Sequence, residues 1–382
     1  VMQRQWPPSP SNAQKALAAG ATQGVLQVGV TAPFTLGQTF TLELQGKSGG
    51  LSRLAQVPAT VTGKPGTLDL SFASEGVTTW PVDAIGASLR SLRALPSGVL
   101  LSGSLFGPQN ENIFGARLLG NGGLDLAFNA NGKPQGLVKP VFCGCGGLHP
   151  EKVSDAFRFA ADEVLLVGSA PRPDLSQDDI VLARYGDDGI AKDVGGDKGL
   201  RFIDAGGDKS DLVISAAMAA GPKLVVLGSW SDGGVDFMFA SRINGETTGL
   251  DPAFGNSGRV VWQGRAPLQV LVDSQDRAIV LSTENNSWHV DRLLPDGSDD
   301  IQTVHAFGVN GVPVGATLLP NDGLIVFTKE TGIVGSTFGL WHLEPDLTLT
   351  KLPARPNPEM YDPSSGGVDD PVAVAVLPGG RL

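Results

Sequence analysis

GLDPAFGNSG, residues 249–258, sets a single aromatic side chain in a run of turn formers, and close copies of it stand elsewhere in the chain. TLDLSFASEG ends at Gly76, GLDLAFNANG ends at Gly132, and a worn copy, HAFGVNG, ends at Gly311. Upstream of these elements lie paired apolar runs. SLRALPSGVLLSGS (91–104), AFRFAADEVLLVGS (156–169) and AAMAAGPKLVVLGS (216–229) are alike, with weaker relatives at 270–283 and 316–329. Each reads as strand, short turn, strand. A third run follows each hairpin, beginning at residues 113, 180, 237, 289 and 338. Near the N-terminus, FTLELQGKSGGLSRLAQV (40–57) supplies a second and third strand.

The residue after the second strand anchors the repeat at Gly46, Gly103, Gly168, Gly228, Ser282 and Thr328. Three or four antiparallel strands per unit, at a spacing slightly longer than the roughly 40 to 50 residues of familiar blades, predict a β-propeller. The expected fold is therefore all-β: six or seven blades, each a three- to four-stranded antiparallel sheet. A solenoid of the same units is the competing architecture. PVAVAVLPGGRL (371–382) reads as one further strand and turn. It predicts a ring closed by pairing of N- and C-terminal strands, because closure removes open sheet edges. Residues 1–24 read as an extended segment and 25–382 as one propeller domain.

Composition agrees. The 382 residues hold 52 glycines and 27 prolines, with 41% hydrophobic residues, which fits many short strands joined by tight turns. Collagen is excluded because no Gly-X-Y period exists. A net charge of −11, spread along the chain, argues against nucleic-acid or anionic-membrane partners. No apolar run approaches the roughly 20 residues of a membrane span. The opening VMQRQWPPSPSNAQ has no signal-peptide core and does not begin with Met, which is compatible with an exported protein whose leader is already removed and equally with a trimmed chain.

The hairpin, the strand ending in FGARLLG or FASRING, and the LDxxF element together resemble the delta-60 repeat, a bacterial β-propeller repeat. The likeness covers most of the chain and is strongest from about residue 66 to 260. It implies a propeller and brings no activity. The third unit departs, with KDVGGDKG after LARYGDDG and no Phe.

The repeated residues read as architecture. Asp69, Asp125 and Asp251 stand three residues before Phe72, Phe128 and Phe254. Each Asp is expected to satisfy turn N–H groups, and each Phe to insert between neighbouring blades. Arg117, Arg184 and Arg242 precede Asp125, Asp193 and Asp251 by eight or nine residues, a spacing that predicts an ion pair from strand to turn.

CGCGGLH, Cys143 to His149, is the local chemical oddity. Cys143, Cys145 and His149 offer three zinc ligands but no fourth. A strained Cys143–Cys145 disulfide and two free thiols are the other readings. The protein is expected to purify without zinc; stoichiometric zinc by elemental analysis, lost on Cys143→Ser, would overturn this. Carboxylates in the Gly-rich segments 176–189 and 229–237 suit calcium but lack EF-hand spacing, so they read as solvated loop tips. His289, His305 and His342 share no common register. No nucleophile elbow, HExxH, P-loop or dinucleotide fingerprint is present, and the sialidase-type aspartate box is missing too. No catalytic, cofactor-binding or metal residue is therefore assigned, and no cofactor is expected.

The expected function is a non-catalytic, extracytoplasmic platform, secreted or on the cell surface, binding a protein or glycan at a propeller face. The alternative is a hydrolase or lyase with a metal at the central channel. A third reading is a subunit of a surface assembly that docks on neighbouring subunits through 1–24 and 355–370.

Overall fold

A computed structural model describes residues 39–48, 51–60, 86–95, 98–107, 111–132, 135–142, 151–160, 163–174, 177–192, 199–246, 249–285, 287–300, 304–306, 312–331, 336–346 and 348–351. Among these residues there is no α-helix, hence none long and apolar enough to cross a membrane. The expected closing strand at 371–377, the boundary after residue 24, Asp69, Phe72 and Asp193 lie outside the described residues.

Packing divides the chain into Val1–Trp80 with Gly120–Gly123, and Pro81–Leu119 with Leu124–Leu382. In the first unit β1 (Thr39–Ser48) and β2 (Leu51–Thr60) form the antiparallel hairpin expected of residues 40–57. The second unit holds five consecutive antiparallel sheets. The first contains β3 (Gly86–Leu95), β4 (Gly98–Phe106), β5 (Glu111–Leu119) and β6 (Leu137–Val138). The second contains β7 (Lys152–Ala160), β8 (Glu163–Pro171), β9 (Asp178–Gly186) and β10 (Leu200–Ile203). The third contains β11 (Leu212–Ala219), β12 (Lys223–Asp232) and β13 (Val235–Asn244), with β14 (Gly249–Leu250) and β15 (Arg259–Gln263) both pairing with β13. The fourth contains β16 (Ala266–Val272), β17 (Ala278–Glu284), β18 (Ser287–Leu293) and β19 (Val304–Ala306). The fifth contains β20 (Val312–Leu318), β21 (Leu324–Thr331), β22 (Ser336–Leu343) and β23 (Leu349–Lys351). The fold is β-propeller-like.

The second, third and fourth sheets each bury both faces, which explains runs such as VLLV and LVVL that do not alternate with polar residues. Along β8, Val164 and Leu166 enter the core shared with the first sheet, while Leu165 and Val167 enter the core shared with the third. Two more cores join the third sheet to the fourth and the fourth to the fifth. Successive side chains of one strand therefore hold two neighbouring sheets.

The repeat anchors have a common structural cause. Gly103, Gly168, Gly228, Ser282 and Thr328 face Leu89, Val153, Val213, Pro267 and Pro313, each the last residue before a bulge in the first strand. The bulge drives a carbonyl toward the anchor: a Cβ on Gly103 would stand 2.0 Å from the Ser88 oxygen, and one on Gly168 2.0 Å from the Lys152 oxygen. Bulges also add local twist, which helps sheets splay from one another.

The LDxxF element is a staple between sheets. Asp251 accepts from the Arg242 Nε at 2.9 Å and from the Ala253 amide at 3.1 Å; Asp125 does the same with Arg117 at 2.6 Å and Ala127 at 3.0 Å. Burial raises the Asp251 carboxyl's pKa, but bonds from Lys223 and Ala253 and the Arg242 charge outweigh it and leave it lowered. Phe128 and Phe254 are fully buried in inter-sheet cores, with the arginines 5.2 and 5.1 Å above their rings. Each arginine also reaches the next sheet: Arg117 to Asp187, Arg242 to the Pro295 carbonyl. Arg292 repeats the pattern in the fourth sheet, with Asp300 at 2.6 Å and the Pro345 carbonyl at 2.6 Å, although no LDxxF element marks it.

Two local expectations are refined. The glycine that closes the first described copy is Gly136, not Gly132: it has φ 78°, donates to the Phe128 carbonyl at 2.7 Å and accepts from the Arg117 amide at 3.3 Å. Gly258 makes the same bonds at 2.8 and 3.0 Å with φ 94°. In the second sheet, which lacks the Phe, Phe159 of β7 lies 5.0 Å under Arg184 and Glu163 accepts from that arginine at 2.7 Å. The same ring-and-acid pair is thus supplied from different strands.

Candidate functional site

β9 and β10 pair with Ile180 opposite Ile203, so the residue before the one and after the other, Asp179 and Asp204, come side by side. The connection from β10 to β11 then folds back, and the Asp211 amide donates to the Asp178 carbonyl at 2.7 Å. One carboxylate oxygen from each of Asp179, Asp204 and Asp211 lies within 4.8 Å of the others.

Their partners are unequal. Asp179 accepts from Arg172 Nε at 2.5 Å and from Gln177 at 3.0 Å. Asp204 accepts from Arg172 Nη2 at 3.1 Å and from the Gly207 amide at 2.6 Å. Asp211 is wholly buried; its Oδ2 accepts from the Ala205 and Gly206 amides at 2.7 and 3.2 Å, and among the described residues its Oδ1 has no hydrogen-bond partner. Burial pushes the Asp211 carboxyl up to about 7 against the pull of the two amides, with the Asp204 and Asp179 charges adding to the rise. The Arg172 guanidinium is raised, first by its bond to Asp179.

Half of this arrangement is architectural. Glu151, which precedes β7, donates through its amide to the Glu111 carbonyl at 2.9 Å and accepts from the Phe142 amide at 2.9 Å. That copies the Asp211 clasp one sheet earlier. At the places corresponding to Asp179 and Asp204, however, the earlier sheet has Asn112 and Val141. The three-carboxylate group is a local addition to a repeated clasp.

Beside it opens a cleft of about 520 Å³, within the range of small-molecule sites. Trp230, Asn256, Arg259, Val260, Gly297 and Asp299 are among its lining residues. The Ala205–Gly206 turn links residues that line the cleft to the carboxylates. Arg259 donates to the Ala205 carbonyl. A Cβ on Gly206 would meet Asp211 Oδ1 at 2.6 Å and the Trp230 indole at 3.3 Å.

Cys143, Cys145 and His149 lie outside the described residues. Segment 229–237 is an exposed tip, where Asp232 pairs with Lys209 at 2.9 Å and Asp236 with Ser231. In segment 176–189 the solvated-tip expectation fails for Asp179, which is buried, because the β8–β9 turn ends one residue before it. His289 and His305 belong to one sheet, as direct partners across β18 and β19. His289 Nε2 lies 3.7 Å from Glu284, and His342 Nδ1 lies 3.3 Å from Glu344 in the fifth sheet. Sequence reasoning missed Asp204 and Asp211 altogether. Their only signal was two acids bracketing the glycine-rich turn of FIDAGGDKSD, residues 202–211.

No protein-family model and no curated protein matches the chain. Among solved structures it is similar to a puromycin hydrolase, with TM-score 0.42 and 14% identity over 84% of this chain and 46% of that one. It is also similar to the polysaccharide lyase Uly1, with TM-score 0.41 and 10% identity over 68% and 58%. A third is an exo-β-1,3-galactanase from Phanerochaete chrysosporium, with TM-score 0.37 and 9% identity over 69% and 61%. The chain thus spans 46% to 61% of the length of these structures. The expectation of a non-catalytic platform is corrected here: these neighbours are named as hydrolases and a lyase. The chain itself carries a buried carboxylate group that the platform reading left out.

Proposed function

We propose that this chain is a hydrolase or lyase working with a divalent cation held by Asp179, Asp204 and Asp211. The observation that carries the reading is Asp211 Oδ1: wholly buried, beside two other carboxylates and, among the described residues, without a hydrogen bond. A buried polar atom left unpaired costs about 1 to 3 kcal/mol, so it calls for a partner. An all-oxygen, anionic set suits calcium, magnesium or manganese over zinc. Three carboxylate oxygens within 4.8 Å of one another are close enough to share one such cation. A cation there would polarise a substrate oxygen or a bound water. Arg172 offsets part of the carboxylate charge, while the Ala205 and Gly206 amides fix the orientation of Asp211. The site lies where β9, β10 and the connection leading into β11 meet.

The same reading takes the five sheets as successive blades of an exported propeller of six or seven blades, of the delta-60 kind. The staples from the first sheet to the second, the third to the fourth and the fourth to the fifth support the blade assignment.

Millimolar calcium is expected to raise the wild-type Tm by a few degrees, reversibly with chelator, and to leave Asp211→Asn unmoved. In chelator the order reverses. A free Asp titrates near 3.9 and Asp211 at about 7, so the fold loses stability as pH rises through that window. Asp211→Asn removes that loss and should melt above wild type at about pH 8. A wild-type Tm indifferent to calcium, manganese and magnesium would dispose of the cation. A calcium shift without chelator-sensitive turnover on polysaccharides, peptides or esters would dispose of the enzyme.

A further inference from the structure

We infer that the cleft beside the carboxylate group binds a hexuronate ring of an anionic polysaccharide. This names a substrate class for the proposed centre and rests on that reading for turnover, but not for binding.

The cleft combines three kinds of recognition. Trp230 lines it half-buried, with Phe237 and Phe239 stacked against the indole at centroid distances of 5.8 and 5.2 Å. Such backing fixes the ring as an apolar surface, and a pyranose presents C–H groups to such a surface. Arg259 lines it half-buried and, among the described residues, forms no ion pair. Its neighbours differ: Arg172, Arg242, Arg265 and Arg292 are all engaged with carboxylates. Its bond from Nη1 to the Ala205 carbonyl points the guanidinium without neutralising it. A planar, permanently charged fork matches a carboxylate. Exposed Asp299 adds a hydroxyl acceptor and exposed Asn256 both donor and acceptor. A neutral sugar would use the ring and the acceptors but leave Arg259 unanswered. A simple anion would use Arg259 but leave the ring unused. A sugar carboxylate uses all of them.

The cleft also opens at the right place. Ala205 gives its carbonyl to Arg259 and its amide to Asp211, so a ring seated at Arg259 stands beside the carboxylate group.

The test is calorimetric titration of the full chain, in chelator, with tetragalacturonate and with a neutral tetrasaccharide. Tetragalacturonate should bind at least tenfold more tightly than the neutral sugar. Arg259→Gln, which keeps a donor for the Ala205 carbonyl, should lose at least tenfold for tetragalacturonate with an unchanged Tm. Asp211→Asn should bind within twofold of wild type, so binding survives even if the cation reading fails. Equal affinity for both sugars, no binding, or an Arg259→Gln protein that binds as wild type would each overturn the inference. If Arg259→Gln unfolds, Trp230→Phe supplies the second variant: a weaker tetragalacturonate complex supports the cleft, and an unchanged one overturns it.

Discussion

Phe254→Ala is expected to lower the free energy of unfolding by roughly 3 to 5 kcal/mol, the range for deleting a buried aromatic ring. Phe254 is buried to 1% and sits in the core between the third and fourth sheets, against Val225, Leu227, Met238, Val280 and Leu293. Its removal opens a cavity between two sheets and takes away the ring under Arg242. Asp251→Ala should cost less, about 1 to 3 kcal/mol, because water can reach only part of the donors it leaves behind. Chemical denaturation monitored by far-UV circular dichroism reads both. An unchanged midpoint for Phe254→Ala would mean that the repeat is no core element, and the stapled-sheet account would fail with it.

The staple explains why so much of the fold was legible. A repeat exposes its own grammar, because each copy must meet the same steric demands at the same offset. A close carbonyl leaves no room for a Cβ at Gly103, Gly168 and Gly228, whereas Ser282 and Thr328 carry one opposite the same bulge, and the strand-to-turn ion pair fixes the spacing from Arg242 to Asp251. Where the demand is met from another strand, the grammar disappears. Phe159 and Glu163 do for Arg184 what Phe254 and Asp251 do for Arg242, yet they precede it in the chain by more than twenty residues. Gly136 escaped for a simpler reason, since an insertion places it eight residues after Phe128 where Gly258 follows Phe254 by four.

The candidate site was illegible for a related reason. Asp179 and Asp204 meet only because β9 and β10 pair in one register, and Asp211 joins them only because the connection folds back. Nothing in their spacing distinguishes them from acids in any Gly-rich turn. Their burial is set by the clasp geometry, which Glu151 shows to be a repeated device with different neighbours. Arg259 was likewise invisible: only the surrounding ion pairs, which engage so many other arginines, make its lack of one informative.

Gly297→Ala should be comparable to the loss of Phe254, on the order of 2 to 6 kcal/mol, by combining two penalties. Gly297 has φ 79°, where a side chain costs about 1 to 3 kcal/mol. An added Cβ would also stand 2.4 Å from the Gly255 amide nitrogen and 3.1 Å from the Phe254 ring, so the two sheets must part or strain, at about 1 to 3 kcal/mol more. The displaced strand turn would weaken the bond from the Gly255 amide to the Asp296 carbonyl, now 2.7 Å. Gly189 is built the same way between the first and second sheets, where an added Cβ would stand 2.4 Å from the Asn129 amide nitrogen. Gly264 separates the two penalties: its φ is 75° but a Cβ there meets nothing within 4 Å. Gly264→Ala should therefore show the backbone cost alone and melt well above Gly297→Ala. Equal losses for the two variants would mean that the contact between adjacent sheets carries no stability, and that the positive φ alone selects glycine at these turns.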